Sequence, residues 1–447
     1  MSHALPSLPR RTAALAPVLP VVAMPVLLAL PLTPDGAGPA DVVSGLAVVY
    51  CVILLLRERR GPLSPAAAVV LGLPVVGLAL AAVGASSPEA GLTGFGRYLQ
   101  VFVLVPAAVL LLLRDRADFR LLAWSFVGLA LCQGAVGVHQ YVTRTGASYQ
   151  GEDIRAVGTF GAHDVMGMAT AVSLGLVCAV GIALGPTSAR QRATAAGCAL
   201  ALLAPLALSF SRGAWIATAV ACAVQLALAG LRRALKVAAA VAAVGVILVG
   251  GFGGGTAPLQ QRIGSITQVT DAPDQSVVDR YTLWAAATDI WRQHPLTGVG
   301  LKGFPEYRDG HATLALSSGS ETGGAGAGYQ RQPLLSPHNM YLLVLSEQGL
   351  IGLLGLAGSW LALLVCGLRR LLRVRTRGPG LDCALISCGL LVWLLTDFVY
   401  GDIGGPSTLL TALGLGLVAW WALAGEERGD VVPRRGVREP VEKAVGR

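Results

Sequence analysis

His338 and Asn339 stand side by side in the segment Ser336-Pro337-His338-Asn339, and Glu347 follows nine residues after the histidine inside an otherwise apolar run. A histidine with a pKa near 6.5 accepts a hydroxyl proton at neutral pH. An ionisable group in an apolar run faces a cavity or a partner, because placing it in a bilayer costs about 2.5–3.5 kcal/mol. His338 is therefore the candidate base, with Asn339 (the sole asparagine of the chain) and Glu347 as supporting groups. Three arginines complete the set: Arg155 in IRAVGTFGAHD, Arg212 in SFSRGAW, and Arg280 one helical turn before Trp284. A guanidinium stays charged and grips phosphate through two parallel hydrogen bonds. Each residue has a plainer explanation: an interfacial histidine, a snorkelling Arg212, an ordinary loop charge at Arg155, a headgroup-binding Arg280. Convergence of the three arginines beside one histidine is what favours chemistry.

The elements that must position these residues are membrane spans. The 447 residues are 54% hydrophobic and 13% charged, with a mean hydropathy of +0.65, against roughly 45–50% and 25% in soluble domains. Stretches of about 20 apolar residues fall near 14–32, 41–56, 65–84, 97–113, 121–141, 163–184, 193–210, 213–230, 235–252, 339–367, 381–400 and 405–424. The expected fold is thus an all-α integral membrane protein of about 12 transmembrane helices, with a large extracytoplasmic loop between helices 9 and 10. Residues 1–252 would carry the first nine helices, 253–337 the loop, 338–425 the last three helices and 426–447 a basic cytoplasmic tail.

Orientation follows from the basic residues. With a cytoplasmic N-terminus, 24 of the 34 Lys and Arg residues lie in inner segments and ten outside, nine of them arginine. The net charge of +9 therefore reads as topology and not as nucleic-acid binding. Arg10 and Arg11 before an apolar run also resemble a signal peptide, although four prolines interrupt that run.

The large loop holds six basic and seven acidic residues, so any anion site in it depends on individually placed arginines. Val277, Tyr281, Trp284, Thr288 and Trp291 recur at helical spacing, which predicts a short amphipathic helix at the membrane surface. Ser317 to Gly328 is rich in Gly and Ser and reads as a flexible flap. Gly298-Val-Gly300-Leu-Lys-Gly303 matches a dinucleotide fingerprint literally but lacks the βαβ context; it reads as a glycine turn close to backbone or ligand. Asp397 and Asp402 flank the last short outer loop, where solvation is cheap, and read as span-end carboxylates. The cysteines show no metal or disulfide spacing, and no outer Asp or Glu cluster has metal spacing.

SFSRGAW (209–215), RYTLWAAATDIWRQHPLTGVGLKGF (280–304) and SPHNMYLLVLSEQGLIGLLG (336–355), in that order, resemble the O-antigen ligase family and its polymerase relatives, over about a third of the chain. The resemblance implies a metal-independent, inverting glycosyltransferase without cofactor in the cytoplasmic (inner) membrane. Its donor would be an undecaprenyl-diphosphate-linked glycan, its acceptor a hydroxyl of a glycan or glycolipid, and its site extracytoplasmic among membrane lipids. His338 matches the histidine that activates or orients the acceptor, Arg212 and Arg280 match diphosphate-binding arginines, and Arg155 a further arginine position. Trp284 stands where the family usually has leucine. A polysaccharide polymerase shares donor and site, while a solute transporter would show paired mid-bilayer polar groups and related halves, which the sequence lacks.

Overall fold

The computed structural model describes residues 17–31, 39–58, 63–149, 154–230, 275–317, 319–324, 327–374 and 380–424. In chain order the helices are α1 (Leu19–Leu27), α2 (Pro39–Glu58), α3 (Pro65–Val83), α4 (Pro88–Leu99), which runs through a π-helical turn (Gln100–Leu104) into α5 (Val105–Leu112), α6 (Arg116–Thr143) and α7 (Gly167–Leu184). They continue as α8 (Ala189–Leu208), α9 (Arg212–Ala229), α10 (Gln275–Gln293), α11 (Phe304–His311), α12 (Met340–Val374), α13 (Leu381–Asp397) and α14 (Thr408–Leu423). Among the described residues, eight helices are long and apolar enough to cross a membrane, and α14 is a shorter apolar one. This is a multi-pass helical membrane protein.

Local chemistry sets many of the helix starts. The side chains of Ser64, Ser87, Asp115, Ser188 and Ser211 each accept a hydrogen bond from a backbone N–H in the first turn that follows, and Pro65 and Pro88 fill first-turn positions where no N–H is needed. The first expected span is described only over residues 17–31, where α1 has nine residues and carries Pro25 inside it. The ninth expected span and the basic tail lie outside the described residues, as does the stretch before residue 17.

A small antiparallel sheet modifies the all-α expectation. Strand β2 (Ser320–Gly324) pairs with β3 (Ala327–Gln332) and with β1 (Ser148–Tyr149). The Gly- and Ser-rich stretch is therefore largely a hairpin and not a structureless flap. Its hydrogen bonds go partly to a loop some 170 residues earlier, which composition does not reveal.

The arginines sort to opposite ends of the bundle, as the charge alternation requires. At one end Arg120 pairs with Asp382 and Arg370 donates to the carbonyls of Trp421 and Ala424. At the other, Arg97 pairs with Asp41 and donates to the Gly405 carbonyl.

The feature that governs the second end is a break in α12. Gly349 has φ +65° and ψ −164°, which opens the helix and frees backbone groups that a membrane protein must satisfy internally. The turn after α10 does so. Leu350 N donates to Pro295 O at 2.9 Å, Ile351 N to Leu296 O at 3.2 Å, Val299 N to Ser346 O at 3.0 Å and Gly300 N to Glu347 O at 3.0 Å. Gly298 of the GVGLKG turn allows this contact: a Cβ on it (φ +67°) would lie 2.3 Å from the Glu347 carbonyl carbon. The Glu347 carboxylate accepts from Phe304 N at 3.3 Å and so caps the start of α11.

Gly298→Ala combines left-handed backbone strain with a backbone clash, and should destabilise the protein by about 2 kcal/mol or more. Gly96→Ala, where a Cβ meets open space, should stay within about 0.5 kcal/mol of wild type. Thermal unfolding of both variants in detergent checks this.

Candidate active site

The end of the bundle fixed by this turn holds His338. Asn339 is buried, and its Oδ1 accepts from Leu342 N at 3.1 Å, which makes it the N-cap of α12. Met340 N donates to the carbonyls of Phe398 and Gly401 at 2.9 and 3.0 Å. The start of α12 is thereby tied to the loop between α13 and α14. Between these anchors His338 adopts φ +49°, a left-handed conformation that costs a non-glycine residue about 1–3 kcal/mol and collects at functional sites. Phe210, two residues before Arg212, is held at φ +48°.

His338 is crowded by protein yet open on one side, with 44% of its side chain exposed. Its Nδ1 lies 4.0 Å from Asp402 Oδ2. The displacement of water by surrounding protein lowers its pKa below the ordinary 6.5; Asp402 opposes the fall, Arg280 adds to it, and Asp279 opposes it more weakly. The charged imidazolium is thus disfavoured. Asp402 is itself fixed by the Ser336 hydroxyl, which donates to its Oδ2.

Arg280 lies on α10, whose buried face is Asp279, Thr282, Leu283, Ala286, Ala287 and Ile290. That face packs into protein, and the expected stripe of Tyr281, Trp284 and Thr288 is the half-open one. Trp284 is not simply a surface anchor, because its indole N–H donates to the Pro337 carbonyl at 2.9 Å, the residue immediately before His338. Asp279 accepts from the Ser317 N–H and hydroxyl at 2.9 and 2.6 Å, which draws the following loop onto α10. The charge of Arg280 reaches both His338 and Asp397, and Asp402 reaches Asp397 as well.

Arg212 is the first residue of α9, placed there by the Ser211 cap. The next residue, Gly213, lies against Tyr400 in the same loop that anchors α12; a Cβ on it would be 3.1 Å from that of Tyr400. Arg155 exchanges backbone hydrogen bonds with Ala147, and Ala156 N donates to Leu208 O at 3.1 Å, which seats the Arg155 segment on the end of α8. All three arginine-bearing segments therefore meet the same end of the bundle as His338. Glu347 does not join this group: it is 3% exposed, beneath the site, and holds the Lys302–Phe304 turn.

Sequence reasoning set aside Asp402 and Asp397 as span-end carboxylates, yet Asp402 lies against His338 and Asp397 is within reach of the Asp402 and Arg280 charges. The signal was present in their position, on an outer loop of the same side as His338, but their distance from it is set by tertiary contact. The surroundings of His338 are consequently of mixed charge and not simply cationic. Nearby, Asp164 accepts from Ser407 N at 2.9 Å; burial pushes its carboxyl up to about 6 against the pull of that bond and of Arg97. Among the described residues no group of three or more His, Cys, Asp or Glu side chains is placed to hold a metal ion.

A search of curated proteins gave no match. Residues 196–357 match the family model Wzy_C, described as O-antigen ligase, a stretch of about a third of the chain that takes in Arg212, Arg280 and His338 and leaves Arg155 outside. Over that stretch, which runs from within α8 to the middle of α12, the chain is similar to the O-antigen ligase family.

Proposed function

We propose that the protein transfers a glycan from an undecaprenyl-diphosphate-linked donor to an acceptor hydroxyl, at the extracytoplasmic face of the cytoplasmic membrane. The observation that carries this reading is an accessible imidazole, 4.0 Å from the Asp402 carboxylate and within reach of the Arg280 charge, at the end of a membrane-helix bundle whose matching segment is of the O-antigen ligase type.

The chemistry is a single displacement. The acceptor oxygen forms the new bond to the anomeric carbon as the bond to the diphosphate breaks, and the hydroxyl proton passes to His338. With Nδ1 turned toward Asp402, Nε2 is the nitrogen left to take it, and the carboxylate stabilises the imidazolium that forms. Arg212 and Arg280, with Arg155 as a further contact, neutralise the departing diphosphate in a cleft partly cleared of water, where preorganised charge acts most strongly. The arginines do the work that a divalent cation does elsewhere, so transfer should persist in a chelator. Asn339 and Glu347 support the site through the backbone they cap.

Replacing His338 with Ala should abolish transfer in a chain that still inserts; wild-type turnover would exclude its role as base. Arg212→Lys and Arg280→Lys should each raise the KM for donor about tenfold or more, because the charge remains while the two-pronged hydrogen bonding is lost. Mass spectrometry of envelope glycans after deletion should reveal the accumulated lipid-linked donor and the acceptor that lacks its sugar.

The lowered pKa of His338 also fixes a sign. The neutral base persists as pH falls below 6.5, so the acid limb of kcat/KM should lie below that value. Asp402→Asn removes a charge that raises the pKa and should move the limb further toward acid. A limb above 6.5, or one unmoved by Asp402→Asn, would exclude this electrostatic account.

A further inference from the structure

Two aromatic side chains on α10 are not used by the mechanism above. Tyr281 is 55% exposed, directly follows Arg280, and meets Trp284 edge-on, with ring centroids 5.8 Å apart at 88°. Trp284 is in turn locked by its bond to the Pro337 carbonyl. The pair is therefore tied through Pro337 to the residue before His338, and Tyr281 directly follows Arg280 in the chain. Aromatic residues of this kind are common at membrane–water interfaces, but an anchor in lipid leaves its indole N–H turned to headgroups and water. Here the N–H is spent on the backbone of the site.

A pyranose ring has one face lined by C–H bonds of slight positive charge and an edge of hydroxyls. The negative face of an aromatic ring attracts the first, and neighbouring charged and hydroxyl groups bind the second. Tyr281 offers an open ring and a phenol, on the helix that carries Arg280. We propose that Tyr281, buttressed by Trp284, is a stacking surface for the pyranose next to the diphosphate, and so a residue that sets which sugar the site accepts. The inference rests on the glycan-transfer reading and adds to it a subsite for the first sugar.

The test uses the full-length chain in lipid nanodiscs, with undecaprenyl diphosphate and undecaprenyl-diphospho-N-acetylglucosamine as probes. Wild type should bind the sugar-bearing lipid about tenfold more tightly, the order expected of one aromatic contact. In Tyr281→Ala and Trp284→Leu that advantage should fall below about twofold, while affinity for undecaprenyl diphosphate stays within about twofold of wild type. Tyr281→Phe should retain most of the advantage, since the ring remains. Tyr281 is exposed, so its variants test the idea even if Trp284→Leu fails to fold. Equal affinities in wild type, or an advantage that survives in Tyr281→Ala, would overturn the proposal. So would a parallel loss of affinity for both lipids, which marks a general role at the membrane.

Saturation-transfer NMR with methyl N-acetyl-β-glucosaminide separates this inference from the transfer reading. A chain that ignores undecaprenyl diphosphate yet gives a Tyr281-dependent signal from the free sugar sinks the transfer reading and keeps the stacking surface. A chain that binds undecaprenyl diphosphate through Arg280 yet shows no sugar advantage does the reverse.

Discussion

A transmembrane helix opened at one glycine and closed again by a turn from elsewhere in the chain is the constraint on which the rest of this structure depends. The four backbone hydrogen bonds between residues 346–351 and 295–300 replace those that Gly349 breaks. In a medium without water, an unsatisfied backbone group costs several kcal/mol, so the turn and the helix are held in one register. That register matters because α10, which carries Arg280, leads directly into the turn, and α12, which follows His338, contains the break. Cation and imidazole are thus attached to opposite partners of one joint. The indole of Trp284 against Pro337 is a second, shorter tie across the same gap.

The site is built on strain and on balanced charge. His338 occupies a left-handed backbone conformation between the Asn339 cap and the Ser336–Asp402 contact, which presents the imidazole instead of folding it into the helix. Carboxylates at Asp279, Asp397 and Asp402 share the neighbourhood of Arg280. They limit the cost of holding a guanidinium partly out of water. The charges of Asp402 and Asp279 oppose the fall that desolvation imposes on the imidazole pKa.

The alternation of basic segments and the helix over 275–293 were legible in the residues, because insertion cost, charge and helical spacing are local or nearly local properties. The GVGLKG turn was also legible as a close-packed glycine turn, although its partner was not. Glu347 shows the limit: an acid in an apolar run had to have a partner, but only the fold identifies it as the N-terminus of α11.

What the sequence determined by itself is a membrane chain with a histidine and several arginines expected on one side, since hydrophobicity and charge decide which segments cross a bilayer and which way they face. What only the tertiary structure decided is which of those groups meet. Asp402 lies 64 residues after His338 and Tyr281 lies 57 before it, and their approach is set by helix packing and by backbone bonds across the broken helix. The hairpin over 320–332 makes the same point. Its glycines and serines indicate flexibility when read alone, yet the pairing strand that orders it is supplied by a distant loop, a contact that no local composition encodes.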